Sequence, residues 1–280
     1  MQATQKLPSI VRFEKTHIPS GVILSQAESW PHRPEDWALI QNISDGLVAL
    51  DNDEVVGTAF CTPFGDKLAT LNMIIVADSQ RGRGLGTRFM DRLIELAGAR
   101  TIRLIATEAG YPLYLKMGFE ETGRILQQQG VVQAFEAGTN AAIESAGTDD
   151  HEAILALDAA KSGLDRHALW QELFQVSTLK VIRDQGAIVA VAACRDFGRG
   201  KVVGPVLADD AATARQLIAA HLAENIDTFV RIDVPAESGL GAWLESFGLT
   251  HAGGGRIMMR GPQVILETPG VFALASQAVG

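Results

Sequence analysis

The feature of this 280-residue sequence that most constrains its fold is an order of parts that occurs twice. Between residues 68 and 123, an apolar run leads through a loop into a helical pattern, a second apolar run, a short helix and a Gly-Phe pair. Between residues 201 and 253 the same order returns, with Gly248-Leu249 at the equivalent end. Two similar series in one chain favour two domains of related architecture over one large domain.

The boundary between these halves is expected in residues 136–150, a small and polar segment in which Gly138 and Gly147 interrupt regular patterns. Part of the segment, residues 141–145, can still pair as a strand. We therefore divide the chain into an N-terminal domain of residues 1–137 and a C-terminal domain of residues 138–280.

The apolar patterns within each half predict an α+β fold. Helices are predicted at residues 21–29, 36–43 and 86–98, and residues 46–77 read as three strands with turns at 51–53 and 64–66. In the second half, helices at 149–160 and 166–174 precede a hairpin centred on residues 185–186. Antiparallel strands that lead into a strand–helix–strand unit predict a mixed, mostly antiparallel sheet flanked by helices in each of two tandem domains.

Charge and cysteine content argue against several classes of protein. The formal net charge is -9, which disfavours binding to nucleic acid or to an anionic membrane surface. Two cysteines and six scattered histidines predict neither a disulfide framework nor a metal site. No apolar run has the length of a membrane span, and the first residues lack the apolar core of a signal peptide. We expect a cytoplasmic protein without a metal, a nucleic-acid partner or a membrane partner.

The strongest chemical signal is the loop QRGRGLGT at residues 80–87, which lies between a buried strand and an amphipathic helix. A helix N-terminus offers unpaired backbone N–H groups with a partial positive charge, and glycines let the backbone approach an anion. Arg81 and Arg83 add charge, so the loop suits a pyrophosphate. The glycine spacing fits neither a Rossmann fingerprint nor a Walker loop. A solvated glycine-rich turn is the alternative.

A second motif follows about 30 residues later, where Tyr114, Gly118 and Phe119 form a Tyr-x-x-x-Gly-Phe pattern. Together the two motifs resemble the GNAT superfamily of acyl-CoA-dependent N-acetyltransferases. Their pyrophosphate loop reads Gln/Arg-x-x-Gly-x-Gly/Ala, which Arg81, Gly84 and Gly86 match. The resemblance covers roughly residues 10–125.

The resemblance implies a set of contacts with acetyl-CoA as cosubstrate. The backbones of Ile74 and Val76 would pair with the pantetheine arm where two strands splay apart, and the loop amides would hold the pyrophosphate. Tyr114 would act as the general acid for the departing thiolate, with a core tyrosine as the alternative. The residues assigned to the cofactor are Ile74, Val76, Arg81, Gly82, Arg83, Gly84, Leu85, Gly86, Thr87 and Thr107.

The general base cannot be carried over from the family. Thr107 stands where many relatives have Asn, and Thr70 stands where some have a catalytic Glu. A base or a proton route is needed because reaching the neutral form of a lysine-like amine at pH 7 costs about 4.6 kcal/mol. The candidate bases are Glu108, His32, Asp36 and Asp66.

In GNAT relatives the segment equivalent to residues 28–37 borders the acceptor pocket. Substrate contacts are therefore predicted for Trp30, His32, Asp36 and Trp37. The alternatives are that both tryptophans belong to the core and that Asp36 is an acid in the first turn of a helix.

The second half lacks the chemical motifs of the first. Asp209 and Asp210 occupy the loop position and would repel a pyrophosphate, although they suit a helix N-cap. Leu244 stands at the tyrosine position. This half is similar to a divergent GNAT-like domain that follows a typical one in some bacterial proteins, with the tasks of completing the acceptor pocket or stabilising the fold. Its polar pocket candidates are Asp165, Arg166, Arg231 and Asp233, with surface ion pairing as the alternative for each.

These observations favour an acetyl-CoA-dependent N-acetyltransferase that acts on a small-molecule amine by direct attack. The oxyanion would meet a backbone N–H near Ile75. Cys61 and Cys194 lie in apolar strand patterns and read as buried residues rather than nucleophiles. The rivals are an enzyme that modifies a protein lysine or N-terminal amine, and an acyl-CoA-binding regulatory protein without turnover.

Overall fold

The apolar segments of the first half form a strand-rich unit with two helices inserted before its second strand. The computed structural model describes residues 7–136, 142–262 and 270–280. The first half contains β1 (Ser9–Arg12), α1 (Ile18–Ala27), α2 (Pro34–Asn42), β2 (Asp45–Asp51), β3 (Glu54–Phe64), β4 (Leu68–Val76), α3 (Leu85–Ala97), β5 (Thr101–Ala106), α4 (Tyr111–Lys116) and β6 (Glu120–Val131).

The second half repeats this order, as its sequence predicts, although the expected boundary at residue 137 lies outside the described residues. Its elements are β7 (Ile143–Ser145), α5 (His151–Ser162), α6 (His167–Val176), β8 (Ser177–Asp184), β9 (Ala187–Phe197), β10 (Gly200–Leu207), α7 (Ala211–Ala223), β11 (Phe229–Pro235), α8 (Gly241–Glu245), β12 (Thr250–Arg260) and β13 (Val271–Ala273).

The predicted helices and turns lie close to their expected positions. The helix predicted at 21–29 begins earlier, at Ile18, because Pro19 is compatible with the first turn of a helix. Asn52 and Asp53 adopt positive φ values of 49° and 66° in the first hairpin turn, a conformation that Asn and Asp tolerate. In the part of the chain that the structure describes, no helix is long and apolar enough to cross a membrane.

All described strands belong to one mixed sheet, and the two halves exchange the strands β6 and β12 at its centre. The strand order is β1-β2-β3-β4-β5-β12-β6-β11-β10-β9-β8-β7, with β13 attached to β10. Strand β12 of the second half lies between β5 and β6, where Ile257 pairs with Ile105. Strand β6 of the first half pairs in turn with β11. Each half is therefore completed by a strand of the other.

Side chains of the sheet alternate between separate apolar cores on its two faces. On β2, Val48 enters one core, whereas Leu47 and Ala49 enter another, the one that packs against α3. The Val48 core extends through Trp37 to Trp170 and so joins the helices of both halves. A third core packs α7 against the second half. The shared core, like the exchanged strands, fixes the two halves against each other.

Candidate active site

A bulge in β4 opens the sheet between β4 and β5. The parallel pairing of these strands ends at Leu71 and Leu104, so the following residues of β4 have no partner on that side. Met73 has a φ of 47°, and the pairing of β3 with β4 shifts register at the same point. Thr58 donates a hydrogen bond of 2.8 Å from Oγ1 to the carbonyl of Met73. The bulge therefore lies at the splay that the family resemblance implies near residues 74–76.

The glycine-rich loop forms a cradle at the end of this splay. Gly82 and Gly84 have φ values of 72° and 81°, and Gly84 is the N-cap of α3. A Cβ atom built on either glycine would have no neighbour within 4 Å, so the space in front of the backbone is open. The first amides of α3 face no helical acceptor and are free to bind an anion. The cradle thus fits a pyrophosphate group by charge and by space.

The cradle and the splay line one continuous groove. Nearly all residues assigned to the cofactor line it, and the exception is Arg83, whose guanidinium bonds to Gln80. Arg81 lines the groove and forms ion pairs with Glu28 and with Asp78. Glu28, the C-cap of α1, was missed because its segment, residues 28–37, is expected at the acceptor pocket and not at the donor groove. The groove residues found are Ile74, Val76, Arg81, Gly82, Gly84, Leu85, Gly86, Thr87, Thr107 and Tyr114.

Tyr114 lies in the wall of the groove on α4. Its ring packs 6.1 Å from that of Phe119, and only 8% of the residue is exposed. Burial raises the pKa of the Tyr114 phenol to about 12. The hydroxyl therefore keeps its proton at neutral pH, as a general acid must.

A second cavity of about 350 Å³ opens from the same splay. It shares Trp30 and Thr107 with the groove, so the two spaces meet at these residues. Asn72 and Met73 of β4 line one side. Much of the remaining wall comes from the second half of the chain, namely Phe197, Arg231, Ala252, Gly253, Gly254, Ser276, Gln277 and Ala278.

Two buried polar atoms in this wall lack a protein partner. They are Nδ1 of His32 and Oδ1 of Asn72, and the amide nitrogen of Asn72 donates to Thr62 at 2.8 Å. Desolvation lowers the pKa of His32 to about 4, with a smaller opposing effect from Asp36 and smaller lowering effects from Arg231 and Arg195. His32 is therefore neutral at pH 7, and its Nδ1 has no protein partner. Asn72 was missed, although an amide inside the apolar run LATLNMIIVA was a visible signal.

Arg231 brings a positive charge to the cavity. Its Nε and Nη2 each lie 2.9 Å from Oδ2 of Asp233, and Gln277 donates to the other oxygen of Asp233 at 2.8 Å. Asp233 is fully buried. The alternative for these two residues was a surface ion pair. They do form an ion pair, but it is buried.

Asp36 and Trp37 are not brought to the cavity. Asp36 accepts from the backbone N–H of Arg33 at 2.9 Å and pairs with the Arg33 and Arg195 guanidinium groups, so it acts at the start of α2. Trp37 is fully buried, and its Nε1 donates to Ser25. Trp30 and His32 are the two members of the predicted acceptor set that line the cavity.

The other candidate bases and pocket residues lie elsewhere. Glu108 pairs with Arg256 on the surface, and Asp66 is an exposed partner of Arg100. Arg166 forms a deeply buried ion pair with Asp158 rather than a surface pair. Asp165 accepts from the backbone of His167 and lines a separate cavity that includes Arg166. Among the four candidate bases, His32 is the one that faces the acceptor cavity.

In the second half, the equivalent splay is filled by the chain itself. Strand β10 pairs with β11 only at Lys201 and Val202, and β13 then attaches to β10 at Val206 and Leu207. Leu274 continues the contact by donating to the carbonyl of Asp233. Asp210 caps α7 by accepting from Thr213 at 2.8 Å, as its position in the sequence predicts. Among residues 142–262 and 270–280, this half has neither an open splay nor a glycine cradle.

Within the described residues, the cysteines are buried, and the His, Cys, Asp and Glu side chains form no metal site. Burial raises the pKa of Cys61 to about 12 and that of Cys194 to about 11, and both thiols lie in the cores. No group of three His, Cys, Asp or Glu residues suited to a metal ion occurs within residues 7–136, 142–262 and 270–280.

Family models match both halves of the chain. Residues 42–121 and residues 154–273 each match a model described as an acetyltransferase (GNAT) domain. The chain belongs to the GNAT superfamily. It is an N-acetyltransferase with two GNAT domains in tandem, and the superfamily implies an acyl-CoA donor. The open splay and the glycine cradle of the first GNAT domain fit that donor.

Relatives of this GNAT protein resemble it over different lengths. The uncharacterized N-acetyltransferase YitH of Bacillus subtilis is 29% identical, over 97% of this chain and 98% of its own. The L-2,4-diaminobutyric acid acetyltransferase of Shouchella clausii is 46% identical over 61 residues, which is 21% of this chain and 34% of that protein. A crystal structure of a Pyrococcus horikoshii protein superposes with a TM-score of 0.82, at 18% identity, over 100% of this chain and 98% of that one. At that identity the likeness concerns the fold alone.

Proposed function

We propose that this protein transfers the acetyl group of acetyl-CoA to a primary amine of a small molecule by direct attack. The observation that carries the proposal is the junction of the donor groove with the second cavity at Trp30 and Thr107. An acyl group held at the splay and an amine held in the cavity would meet there. Holding two reactants in contact is itself a large part of such a catalyst's effect.

The first domain holds the donor. The amides at the start of α3 bind the pyrophosphate, and the unpaired edge of β4 at Ile74 and Val76 receives the pantetheine arm as an added strand. The backbone N–H near Ile75 stabilises negative charge that develops on the carbonyl oxygen during attack. The bulge at Met73 supports this role because it turns the β4 backbone out of its ladder.

Tyr114 and His32 carry out the two proton transfers of the reaction, one to the leaving thiolate and one from the attacking amine. Tyr114, which stays protonated, donates to the leaving thiolate from the groove wall. His32 accepts the proton that the amine loses, through its unpartnered Nδ1. Its low pKa suits this task because a nitrogen that is forming an acyl bond becomes a strong acid. A weak base that is always neutral at pH 7 is then sufficient.

Direct transfer needs no nucleophile on the protein. Cys61 and Cys194 are the only cysteines in the sequence, and both are buried away from the groove with raised thiol pKa values. Neither lines the groove or the acceptor cavity. A covalent acyl-enzyme on cysteine is therefore not part of the proposal.

A small acceptor is favoured because the second domain walls the cavity. The lining from Phe197, Arg231 and the 276–278 segment leaves a space of about 350 Å³, which is within the range of small-molecule sites. The Shouchella clausii relative is named for the acetylation of a small amine, diaminobutyric acid. We therefore propose residues 138–280 as the domain that completes the acceptor site of residues 1–137, with no protein, nucleic-acid or membrane partner required.

A screen tests the proposal. The protein is incubated with acetyl-CoA and a panel of primary amines, free CoA thiol is followed, and the acetylated amine is identified by mass. We expect thiol release that depends on the amine and a matching N-acetyl product. A lysine-containing peptide panel is run in parallel. Acetylation of the peptides with no turnover of any small amine would contradict the proposal.

A further inference from the structure

We propose that the acceptor amine carries a carboxylate, and that Arg231 of the second GNAT domain binds it. The inference rests on the proposed function, because it concerns the acceptor of that same reaction. It is drawn from the chemistry of the cavity wall.

The wall of the acceptor cavity has a charge of one sign. Arg231 lines it, whereas none of the described residues that line the cavity is Asp or Glu. Asp233 balances the charge of Arg231 but lies behind it, fully buried. A cavity for a simple diamine or polyamine would be expected to offer a carboxylate to the ammonium groups. This cavity offers a guanidinium instead, which suits a carboxylate.

The guanidinium of Arg231 is held in place and still has donors to offer. Asp233 accepts at Nε and at Nη2, which leaves Nη1 and a second hydrogen on Nη2. The group also lies 5.4 Å from the ring centre of Phe197, which lines the same cavity. The side chain is 12% exposed, so its charge is little screened by solvent. A fixed, planar pair of N–H donors matches the two oxygens of a carboxylate.

Gln277 helps to hold Asp233, the buried partner of Arg231, in place. Gln277 donates from Nε2 to Gln127 at 3.2 Å and to Asp233 at 2.8 Å, and both glutamines line the cavity beside Arg231. At the mouth shared with the donor groove stand Trp30 and Thr107 instead. Arg231 does not line the donor groove, whereas Trp30 and Thr107 line both spaces, so the guanidinium and the junction can hold different groups of one acceptor.

The test compares matched pairs of amines on three forms of the full-length protein. ω-Amino acids with one to four methylenes, and α,ω-diamino acids, are each paired with the alkylamine or diamine of equal length. The variant Arg231→Gln/Asp233→Asn removes both charges, so that no buried carboxylate is left unpaired. The control variant Arg166→Gln/Asp158→Asn removes another buried ion pair, which lies outside the acceptor cavity.

For the wild-type protein we expect at least one carboxylate-bearing amine to exceed its partner in kcat/KM by about 10- to 1000-fold. This ratio should fall below about 3-fold in the Arg231→Gln/Asp233→Asn variant and persist in the control. Turnover of amines by the wild type without preference for the carboxylate would overturn the inference and leave the proposed function standing.

If no amine is consumed, a binding measurement tests the carboxylate site independently of the proposed acetyltransferase activity. N-acetyl-4-aminobutyrate and N-butylacetamide are titrated into CoA-saturated protein by calorimetry. Tighter binding of the carboxylate, lost in the Arg231→Gln/Asp233→Asn variant alone, would support the inference even if the proposed function failed. Equal binding of both compounds would overturn it.

Discussion

The hydroxyl of Thr58 and the carbonyl of Met73 form a buried hydrogen bond of 2.8 Å across β3 and β4. It is made at the residue whose positive φ produces the bulge. The shape of the donor groove thus depends on a side chain that does not itself line the groove.

We predict that Thr58→Val weakens both folding and donor binding. The buried carbonyl of Met73 loses its partner, so the free energy of unfolding should fall by about 1–3 kcal/mol. The Kd for acetyl-CoA should rise as the bulge relaxes. Urea unfolding and calorimetry measure the two effects. Thr178→Val, which removes a similar bond to the carbonyl of Cys194 in the second half, should leave the Kd unchanged. An unaltered Kd in Thr58→Val would show that CoA binding does not depend on this hydrogen bond at the bulge.

Substitution of Gly84 should abolish CoA binding through both space and conformation. Gly84→Val places a branched side chain in the open cradle and at a φ of 81°. Gly239→Val is the matched control, because Gly239 is also left-handed, with φ 67° and ψ 15°, and has an equally open surrounding outside the groove. Both variants should lose about 1–2 kcal/mol of stability. Only Gly84→Val should lose CoA in calorimetry, and equal loss by both would argue against the cradle.

Tyr114→Phe should lower turnover while sparing donor affinity. If the phenol is the acid for the thiolate, kcat should fall by about 10- to 1000-fold and the Kd for CoA should stay within about 3-fold. Tyr111→Phe, on the same helix, removes a phenol whose ring stacks on Arg256 and should have little effect. An unchanged kcat in Tyr114→Phe would reassign Tyr114 to packing against Phe119.

Stability should fall in mild acid because two histidines are held neutral. The pKa values of His32 and His221 are both lowered to about 4, chiefly by desolvation. The unfolded chain therefore binds more protons than the native protein between pH 6.5 and 4. The contribution to stability is complete above pH 6.5 and decreases as the pH falls toward 4. Each histidine should lose about 2 kcal/mol by pH 5.

Urea unfolding at pH 7.5, 6 and 5 measures this slope. His32→Gln and His221→Gln should each flatten it, and the double variant should flatten it further. A slope that neither substitution changes would show that other groups control the acid sensitivity.

We predict one bound CoA per chain. The splay of the second half is occupied by β13, and Asp209 and Asp210 stand where the first half has its glycine cradle. Calorimetry should give a stoichiometry near one, and Gly84→Val should bind none. A second site that survives Gly84→Val would contradict the assignment of the second half.

The local motifs were predictable from the sequence because each is contained in one short segment. The 80–87 loop and the Tyr114 motif report a strand, a turn and a helix in direct succession. The order of elements in both halves was equally visible, because apolar periodicity is a local property.

Relations between distant segments were not predictable. The sequence around Asp36 suggests a pocket acid, because its buried partner, Arg195, lies far along the chain. The alternatives given for Asp36 and Trp37, a first-turn acid and a core residue, describe their positions in the structure. The exchange of β6 and β12 leaves no local trace, because either strand has the same pattern whichever half it joins. The filling of the second splay by β13 also depends on tertiary pairing.

The exchange of strands has a consequence for the order in which the protein is built during translation. A ribosome finishes β6 long before it makes β12, which must lie between β5 and β6. Gly253 and Gly254 of β12 also line the acceptor cavity. The donor-binding half is therefore synthesised first, and its strands β5 and β6 lack their shared neighbour until β12 is made. A nascent chain that ends before β12 lacks the part of the cavity wall that Gly253 and Gly254 supply.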